Sequence, residues 1–468
     1  MSAMAKIEEL FKALELGGYN AQPSSLVQGG SLQVEDVSPV MKVVTFGDKD
    51  IKIQKEVPSK KAKGQLIQFN RQLSYGNLGS SAQLEGQVGA EETSDFIRAV
   101  VPMCYYSHVR RVSHAANLAE TQDGVKAEDR EAQAGAKKIA ADVEIDAFRG
   151  KADFSDLGVF NGNPNAIPGA LPNMLGLDVQ IRQSDSNVNT QDLMFDAYGS
   201  NLSNIILGGG TMTQSMIEDC WIRGVMNFGS GDRLMTDPLV LSNYSKTAYN
   251  SKERFNLGSS AQEPVTGVDI RRQAVSGGVV TIEPSRFLSG QTRPLRTRAT
   301  APAAPTFASA LVNSTTSFLI NQVYTYFVTA QSELGESLPS AAATQTINAN
   351  GDYVTITVTP GAGTTHKQYN VYRSAAGGNS ASAKLIGRVK ANLSGTTVFY
   401  DLNNRLPGAA CAYLVQMDTM SFHELASYSR LKLAVTDLTQ PEAHFRFLCL
   451  AVYEPRKDCL IDNLLGAL

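Results

Sequence analysis

The chain has 468 residues, 43% of them apolar and 19% charged, enough for two or three folded domains and far from a disordered composition. Forty-two Lys and Arg against 45 Asp and Glu give a net charge of −3, so no global attraction holds the chain on a phosphate backbone or an anionic membrane. A main role in nucleic-acid binding is therefore disfavoured, and no run approaches the ~18 apolar residues that cross a bilayer. The N-terminal stretch is amphipathic and acidic, unlike a signal peptide, so the chain is expected to stay in the compartment where it is made. Five widely spaced cysteines (Cys104, Cys220, Cys411, Cys449 and Cys459) suggest buried reduced thiols, neither a disulfide framework nor a zinc knuckle.

In chain order, Met4 to Leu16 places Ile7, Leu10, Phe11 and Leu14 on one helical face and stops at Gly17-Gly18. So short a helix is marginal alone in water and needs a surface to lie on. Period-two patterning then predicts strands at Met41 to Phe46, at Ile51, Ile53, Lys55 and Val57, and at Leu66 to Leu73, with a tight turn at Gly47-Asp48. Pro58 to Gly64 reads as an exposed basic connection carrying Lys60, Lys61 and Lys63. Tyr75 to Thr93 is poor in large apolar groups and ends in the acidic group Glu91, Glu92 and Asp95, so it makes no core of its own. A basic and an acidic projection on one chain are complementary if copies meet head to tail, although a solvated face is the plainer reading of any single charge.

Val125 to Arg149 sets Ala136, Ile139, Ala140, Val143 and Ala147 at helical spacing, with Glu128, Asp129 and Glu131 in the opening turns and Gly150 as a stop. A helix of that length spans roughly 35 Å, enough for the spine of a domain. Gly158 to Leu177 holds four asparagines, three prolines and four glycines and reads as a long loop. A second helix is expected after Gly208-Gly209-Gly210, with Thr211 and Gln214 in capping-box spacing and Met216, Ile217, Cys220, Trp221, Gly224 and Phe228 on one face. The glycine triplet lacks the lysine of a phosphate cradle and reads as the flexible lead into that helix.

Arg286, Arg293, Arg296 and Arg298 occur without an acid ahead of an Ala/Pro stretch at Ala299 to Pro305, which reads as a linker. Residues 301–408 hold 10 charged side chains, against 77 in the other 360, while Ser and Thr supply 24 of those 108 positions. Alternating strands are expected at Tyr324 to Ala330, Tyr353 to Thr359, Tyr369 to Arg373 and Thr397 to Tyr400, a β-sandwich pattern. After Pro407-Gly408 the earlier composition returns, in Ser421 to Val435, Phe445 to Val452 and Pro455 to Leu468, so the sandwich reads as an insertion into a host domain.

No catalytic constellation stands out. Cys104, His108 and His114, and separately His444 with Cys449, have spacings that allow a shared ligand, yet neither is a recognised zinc pattern. No Ser-His-Asp arrangement has a positional signature, and the acids near Glu128 suit a helix start better than an acid and base pair. The reading is a non-enzyme with no cofactor and no metal.

Two resemblances are carried by specific residues. Tyr326 to Ser340 (YFVTAQSELGESLPS), Tyr369 to Ser374 (YNVYRS), Leu385 to Gly387 and Phe399 to Leu402 resemble a fibronectin type III or related immunoglobulin-like module over about 100 residues. Leu66 to Gly76 (LIQFNRQLSYG), Tyr105 to Ala116 (YYSHVRRVSHAA), Met226 to Tyr244 (MNFGSGDRLMTDPLVLSNY) and Phe445 to Asn463 resemble the major capsid protein of tailed bacteriophages, a fold shared with encapsulins and the herpesvirus capsid floor. That resemblance implies an α+β chain: an N-terminal arm at 1–60, an extended loop at 61–100, peripheral and axial capsid domains at 101–298 and 409–468, and an inserted all-β sandwich at 299–408.

It also implies self-assembly into hexamers and pentamers of an icosahedral head shell, assembled in the host cytoplasm and found in the virion. Partners are packaged double-stranded DNA held without sequence preference and scaffolding, portal or decoration proteins, with no membrane. The assembly-contact candidates are Ile7, Leu10, Phe11, Leu14, Lys60, Lys61, Lys63, Arg71, Glu91, Glu92, Arg110 and Arg111. Arg110, Arg111, Arg271 and Arg272 are placed to neutralise a few phosphates or, more plainly, to pair with neighbours. An encapsulin-like compartment and a cell-surface or carbohydrate-binding adhesin are the competing classes.

Overall fold

The computed structural model describes residues 47–72, 75–76, 80–89, 91–94, 96–118, 126–150, 174–183, 204–250, 271–288, 303–313, 318, 320–332, 335–362, 366, 368–392, 395–435 and 437–466. The N-terminal helix with Ile7, Leu10, Phe11 and Leu14, the strand at 41–46, most of the loop at 158–177 and most of the 286–300 linker lie outside them. Two units are distinguished: one holds Arg110–Ala134 and Lys432–Glu442, the other Asp48–Val109, Gly135–Leu431 and Ala443–Leu468.

Ion pairs dominate the first unit. Lys432 Nζ lies 2.7 Å from Glu128 and 3.8 Å from Glu442, Arg111 lies 3.8 Å from Asp437, and Arg110 pairs with Glu131. Glu128 and Asp129 occupy the first turn of the helix Ala127–Arg149, where the helix dipole favours acids.

In the second unit the rest of that helix packs by an i, i+4 stripe. Ile139, Val143, Ala147 and the adjoining Phe148 are buried in one core with Met420, Phe422, Leu448 and Leu450. The last four belong to a four-stranded sheet ordered Ser59–Lys61, Met420–Lys432, Thr439–Val452 and Cys104–Ser113. Gly150 ends the helix, its N–H reaching the Asp146 carbonyl at 2.7 Å. Only glycine serves there, because a Cβ would stand 2.1 Å from the Met174 carbonyl oxygen.

A buried carboxylate on this helix overturns one expectation. Glu144 accepts the backbone N–H groups of Lys52, Ile53 and Gln54 at 2.8, 2.9 and 3.3 Å, and the Gln54 amide at 3.2 Å. Those are the orphan donors of a helical turn, so Ile53–Glu56 is a short α-helix where alternation predicted a strand. Ile53 and Val57 are both buried, one turn apart. Ahead of it, Asp48–Asp50 forms a 3-10 turn. Pro58 to Gly64 is also more ordered than expected, since Ser59–Lys61 is an exposed strand paired in parallel with Met420–Lys432.

Glu144→Ala leaves three N–H groups without their acceptor, and charged hydrogen bonds are worth ~1.5–3 kcal/mol each before relaxation. We expect a loss of about 3 kcal/mol, read as a lower urea midpoint with unchanged slope, and a smaller loss for Glu144→Gln.

A second sheet has six strands, ordered Ile205–Gly210, Cys459–Leu464, Ala410–Val415, Arg233–Thr236, Gly278–Pro284 and Arg272–Val275. The helices Gln214–Met226 and Pro238–Asn250 contribute Ile217, Cys220, Val240 and Tyr244 to its core. Gly208-Gly209-Gly210 therefore ends a strand, paired with Cys459–Leu464, and is not a flexible lead. Thr213 caps the first of these helices in place of Thr211, its hydroxyl accepting from Met216 N–H at 3.3 Å.

Phe228 is not core. It takes φ +61° in the left-handed turn that closes the helix, where Gly229 N–H reaches the Gly224 carbonyl, and its ring is 92% exposed. The cysteine expectation is corrected too: Cys220 and Cys459 form a disulfide because helix packing brings their Cα atoms to 5.7 Å. Cys104, Cys411 and Cys449 are free and buried.

Beside Cys459, Asp458 is fully buried. Its Oδ1 accepts the Gln416 N–H at 2.9 Å, while Oδ2 has no hydrogen-bond partner. Burial first, then the charges of Asp418 and Glu454, push its pKa up to about 8.

Residues 306–401 form two further sheets. One joins Gly335–Glu336, Val323–Ser332, Gln368–Arg373 and Lys384–Lys390, with Ala343–Thr346 also on Val323–Ser332, and the other orders Thr397–Asp401, Asp352–Thr359 and Thr306–Asn313. Inward positions from both, Tyr326, Val328, Val354, Ile356, Val371 and Phe399 among them, share one core.

A chain of buried charges links these strands to the six-stranded sheet. Arg373 Nη1 donates to both Asp401 oxygens at 2.8 and 2.7 Å, Tyr326 OH donates to Asp401 at 2.9 Å, and Arg373 Nη2 donates to the Arg405 carbonyl at 2.9 Å. Arg405 itself pairs with Asp462 at 2.6 Å, both side chains under 5% exposed. Asn463 completes the tie, accepting Leu406 N–H and donating to the Asn404 carbonyl.

Candidate functional site

An antiparallel hairpin, Leu66–Gln72 against Phe96–Pro102, carries the first group of candidates. Its alternation leaves Ile67 and Phe69 half-buried beside Val101, Met103, Leu425 and Phe447, with the polar positions outward. The connection between its strands has no helix or strand among the described residues, and it holds Tyr75 at 91% and Val88 at 95% exposure, with Glu91 and Glu92 exposed at its end. Large apolar side chains so exposed, on a segment without a core, mark a surface that gains by being covered.

The end of the strand pair next to the connection is held by Arg71. Its Nε donates to the Tyr453 carbonyl at 2.6 Å and its Nη2 to the Val452 carbonyl at 2.8 Å. Phe69 meets the Tyr453 ring edge-on at 5.0 Å. Lys60 reaches the same residue, with Nζ 3.3 Å from Tyr453 Oη and 5.1 Å from the ring centroid. Tyr453 Oη also lies 2.6 Å from Ser421 Oγ and 2.9 Å from His423 Nε2, which are themselves 3.1 Å apart. Burial and the Lys60 charge hold the His423 pKa below its ordinary value.

Lys60 and Arg71 thus meet at one tyrosine, which the sequence reading did not single out, nor Ser421 or His423. Lys61 and Lys63 are exposed. Arg110 and Arg111, in the other unit, pair with Glu131 and Asp437.

The cysteine and histidine candidates form no metal centre: among the described residues no three His, Cys, Asp or Glu side chains are grouped to hold an ion. His444 stacks with His108 at 5.2 Å, and its Nδ1 lies 2.8 Å from the Tyr428 hydroxyl. Burial pushes the Cys104 and Cys449 thiols up to about 12, so neither is a thiolate at neutral pH.

No family model matches the chain. The sequence is similar to the major capsid protein of Staphylococcus phage S25-3, 22% identical over 485 aligned residues that cover 98% of this chain and 95% of the relative. The major capsid protein of Staphylococcus phage K matches at the same identity and coverage. Among solved structures, the capsid of a native GTA particle aligns over 95% of this chain and 100% of that one, with 8% identity and a TM-score of 0.45. The capsid of Myoviridae phage XM1 aligns over 94% and 100%, with 9% identity and a TM-score of 0.42.

Proposed function

We propose that this chain is a phage major capsid protein whose copies assemble as hexamers and pentamers into an icosahedral head shell around double-stranded DNA. The carrying observation is similarity to phage major capsid proteins along nearly the whole of both chains. The connection of the hairpin, which exposes Tyr75, Leu84 and Val88 and has no core of its own, supports it, since a shell subunit gains stability where segments without their own core order against neighbours. Lys60, Lys61, Lys63 and Arg71 on the one hand and Glu91 and Glu92 in the connection on the other are proposed as complementary contacts between copies, with Ile7, Leu10, Phe11, Leu14, Arg110 and Arg111 as further ones.

In this reading residues 1–60 are the arm, 61–100 the extended loop, and 101–298 with 409–468 the peripheral and axial domains. Residues 299–408 are an inserted immunoglobulin-like or fibronectin type III-like sandwich on the exterior, and the two sheets with a common core support that assignment. Assembly takes place in the host cytoplasm with scaffolding, portal or decoration partners, and the chain has no catalytic task.

Negative-stain microscopy of the purified chain tests the reading. Closed shells of uniform diameter are expected, and a monodisperse monomer overturns it; shells that never hold nucleic acid in infected cells indicate an encapsulin-like compartment instead. Deleting 301–408 and joining the ends, with Asp462→Leu so that no carboxylate is left buried without Arg405, is expected to leave shell formation intact, whereas loss of soluble folding overturns the insertion boundaries.

A further inference from the structure

We propose that Lys60, His423 and Tyr453 form a seat for a tetrahedral oxyanion, a phosphate group, on the sheet beside Phe69 and Arg71 of the hairpin. Strand register builds it: Lys60 stands opposite His423 in the parallel pairing of Ser59–Lys61 with Met420–Lys432, and Tyr453 follows directly on Thr439–Val452, the next strand of that sheet. Ser421 is the buried floor, fixing the phenol and the imidazole through its hydroxyl. Lys60 is exposed, and His423 and Tyr453 are half-buried, so the polar rim meets solvent.

Among the described residues, neither Lys60 nor His423 has a carboxylate partner. Of the neighbouring acids, Glu424 pairs with Arg446 at 2.5 Å, Glu56 with Arg233, and Glu454 with Lys457. Arg71 adds a positive charge at Tyr453, and Arg456 and Glu454 both lie close enough to act on Arg71. Lys60, Ser421 and His423 meet at the Tyr453 hydroxyl, and the Lys60 ammonium keeps N–H donors beyond its bond to that oxygen, a cationic and polar rim that suits phosphate oxygens.

The chemistry carries a pH signature. His423 faces Lys60 from one strand, Tyr453 from the other side and Ser421 on its own strand, with Cys449 at its backbone N–H, while Glu424 alternates to the opposite face and pairs there with Arg446. Lys60 disfavours the imidazolium, whereas a bound oxyanion favours it, so binding takes up a proton and strengthens as pH falls.

Equilibrium dialysis of the full chain with radiolabelled sulfate tests this, because sulfate stays a dianion from about pH 8 to about pH 5.5 and any pH dependence belongs to the protein. Affinity is expected to rise about tenfold across that range, to fall about tenfold in Lys60→Ala, and to lose its pH dependence in His423→Gln. Lys61→Ala, the exposed neighbour on the same strand, is expected to bind as the parent does.

A fluorescent oligothymidylate run in parallel identifies the source of the phosphate: Lys60-dependent binding assigns a nucleic-acid backbone, and sulfate binding alone assigns a free anion. Equal loss in the Lys60 and Lys61 variants, or binding flat in pH, overturns the seat. Shell formation by the same variants is scored separately by microscopy, so failure of the seat is distinguished from failure of the capsid reading.

Discussion

Asp458→Asn is expected to raise the unfolding midpoint at neutral pH and to flatten its decline between about pH 4 and about pH 8. The Asp458 carboxyl has a pKa near 8 in the fold against 3.8 as an ordinary carboxyl, so the native state keeps its proton over an interval in which the unfolded chain releases it. The stability tied to that proton is complete below the unfolded pKa and is lost as pH rises through the folded one. At 1.36 kcal/mol per unit, the loss by neutral pH is roughly 4 kcal/mol, which Asn avoids because it never ionises. Asn also keeps an oxygen for the Gln416 N–H, so the native contact survives. Thermal melts of parent and variant across this range check the result, and parallel curves refute the buried-proton account.

The second large effect is expected where Arg405 meets Asp462. Arg405→Met leaves a carboxylate buried without its cation, a change that costs ~3–5 kcal/mol, while replacing both partners with apolar side chains of similar volume recovers most of it. A double-mutant cycle on Arg405→Met and Asp462→Leu by urea unfolding measures the coupling. A double variant as unstable as the sum of the singles refutes it. The Arg373–Asp401 pair beyond it is expected to respond more strongly still, because Arg373 also holds the Arg405 carbonyl and Tyr326 shares Asp401.

Legibility from sequence followed the range of the interactions involved. The helix Ala127–Arg149 was readable because its stripe, acidic start and glycine stop lie within one segment. The strands Val323–Ser332, Asp352–Thr359, Gln368–Arg373 and Thr397–Asp401 fall where alternation placed them. Ile51 to Val57 misled because an i, i+4 pair sits inside an i, i+2 pattern, and the deciding acceptor, Glu144, is 91 residues from Ile53. The disulfide partners are 239 residues apart.

Phe228 misled for a local reason. The stripe ahead of it is genuine, but the helix closes before it and turns the ring outward. Beside the hairpin, a lysine and an arginine were legible as charges, while the tyrosine that gathers them comes nearly 400 residues after Lys60. A lone aromatic at the end of a strand gives no signal of such a role.

The Arg405–Asp462 tie has a mechanical consequence. Asp462 lies on Cys459–Leu464, which is laddered on one side to Ile205–Gly210 and on the other to Ala410–Val415. A tug on the strands of residues 306–401 is therefore delivered to an interior strand of the larger sheet and shared by two hydrogen-bonded neighbours, not left to hang on the peptide links that enter and leave. These strands are braced against the larger sheet as a bracket is and do not swing as a tethered float would.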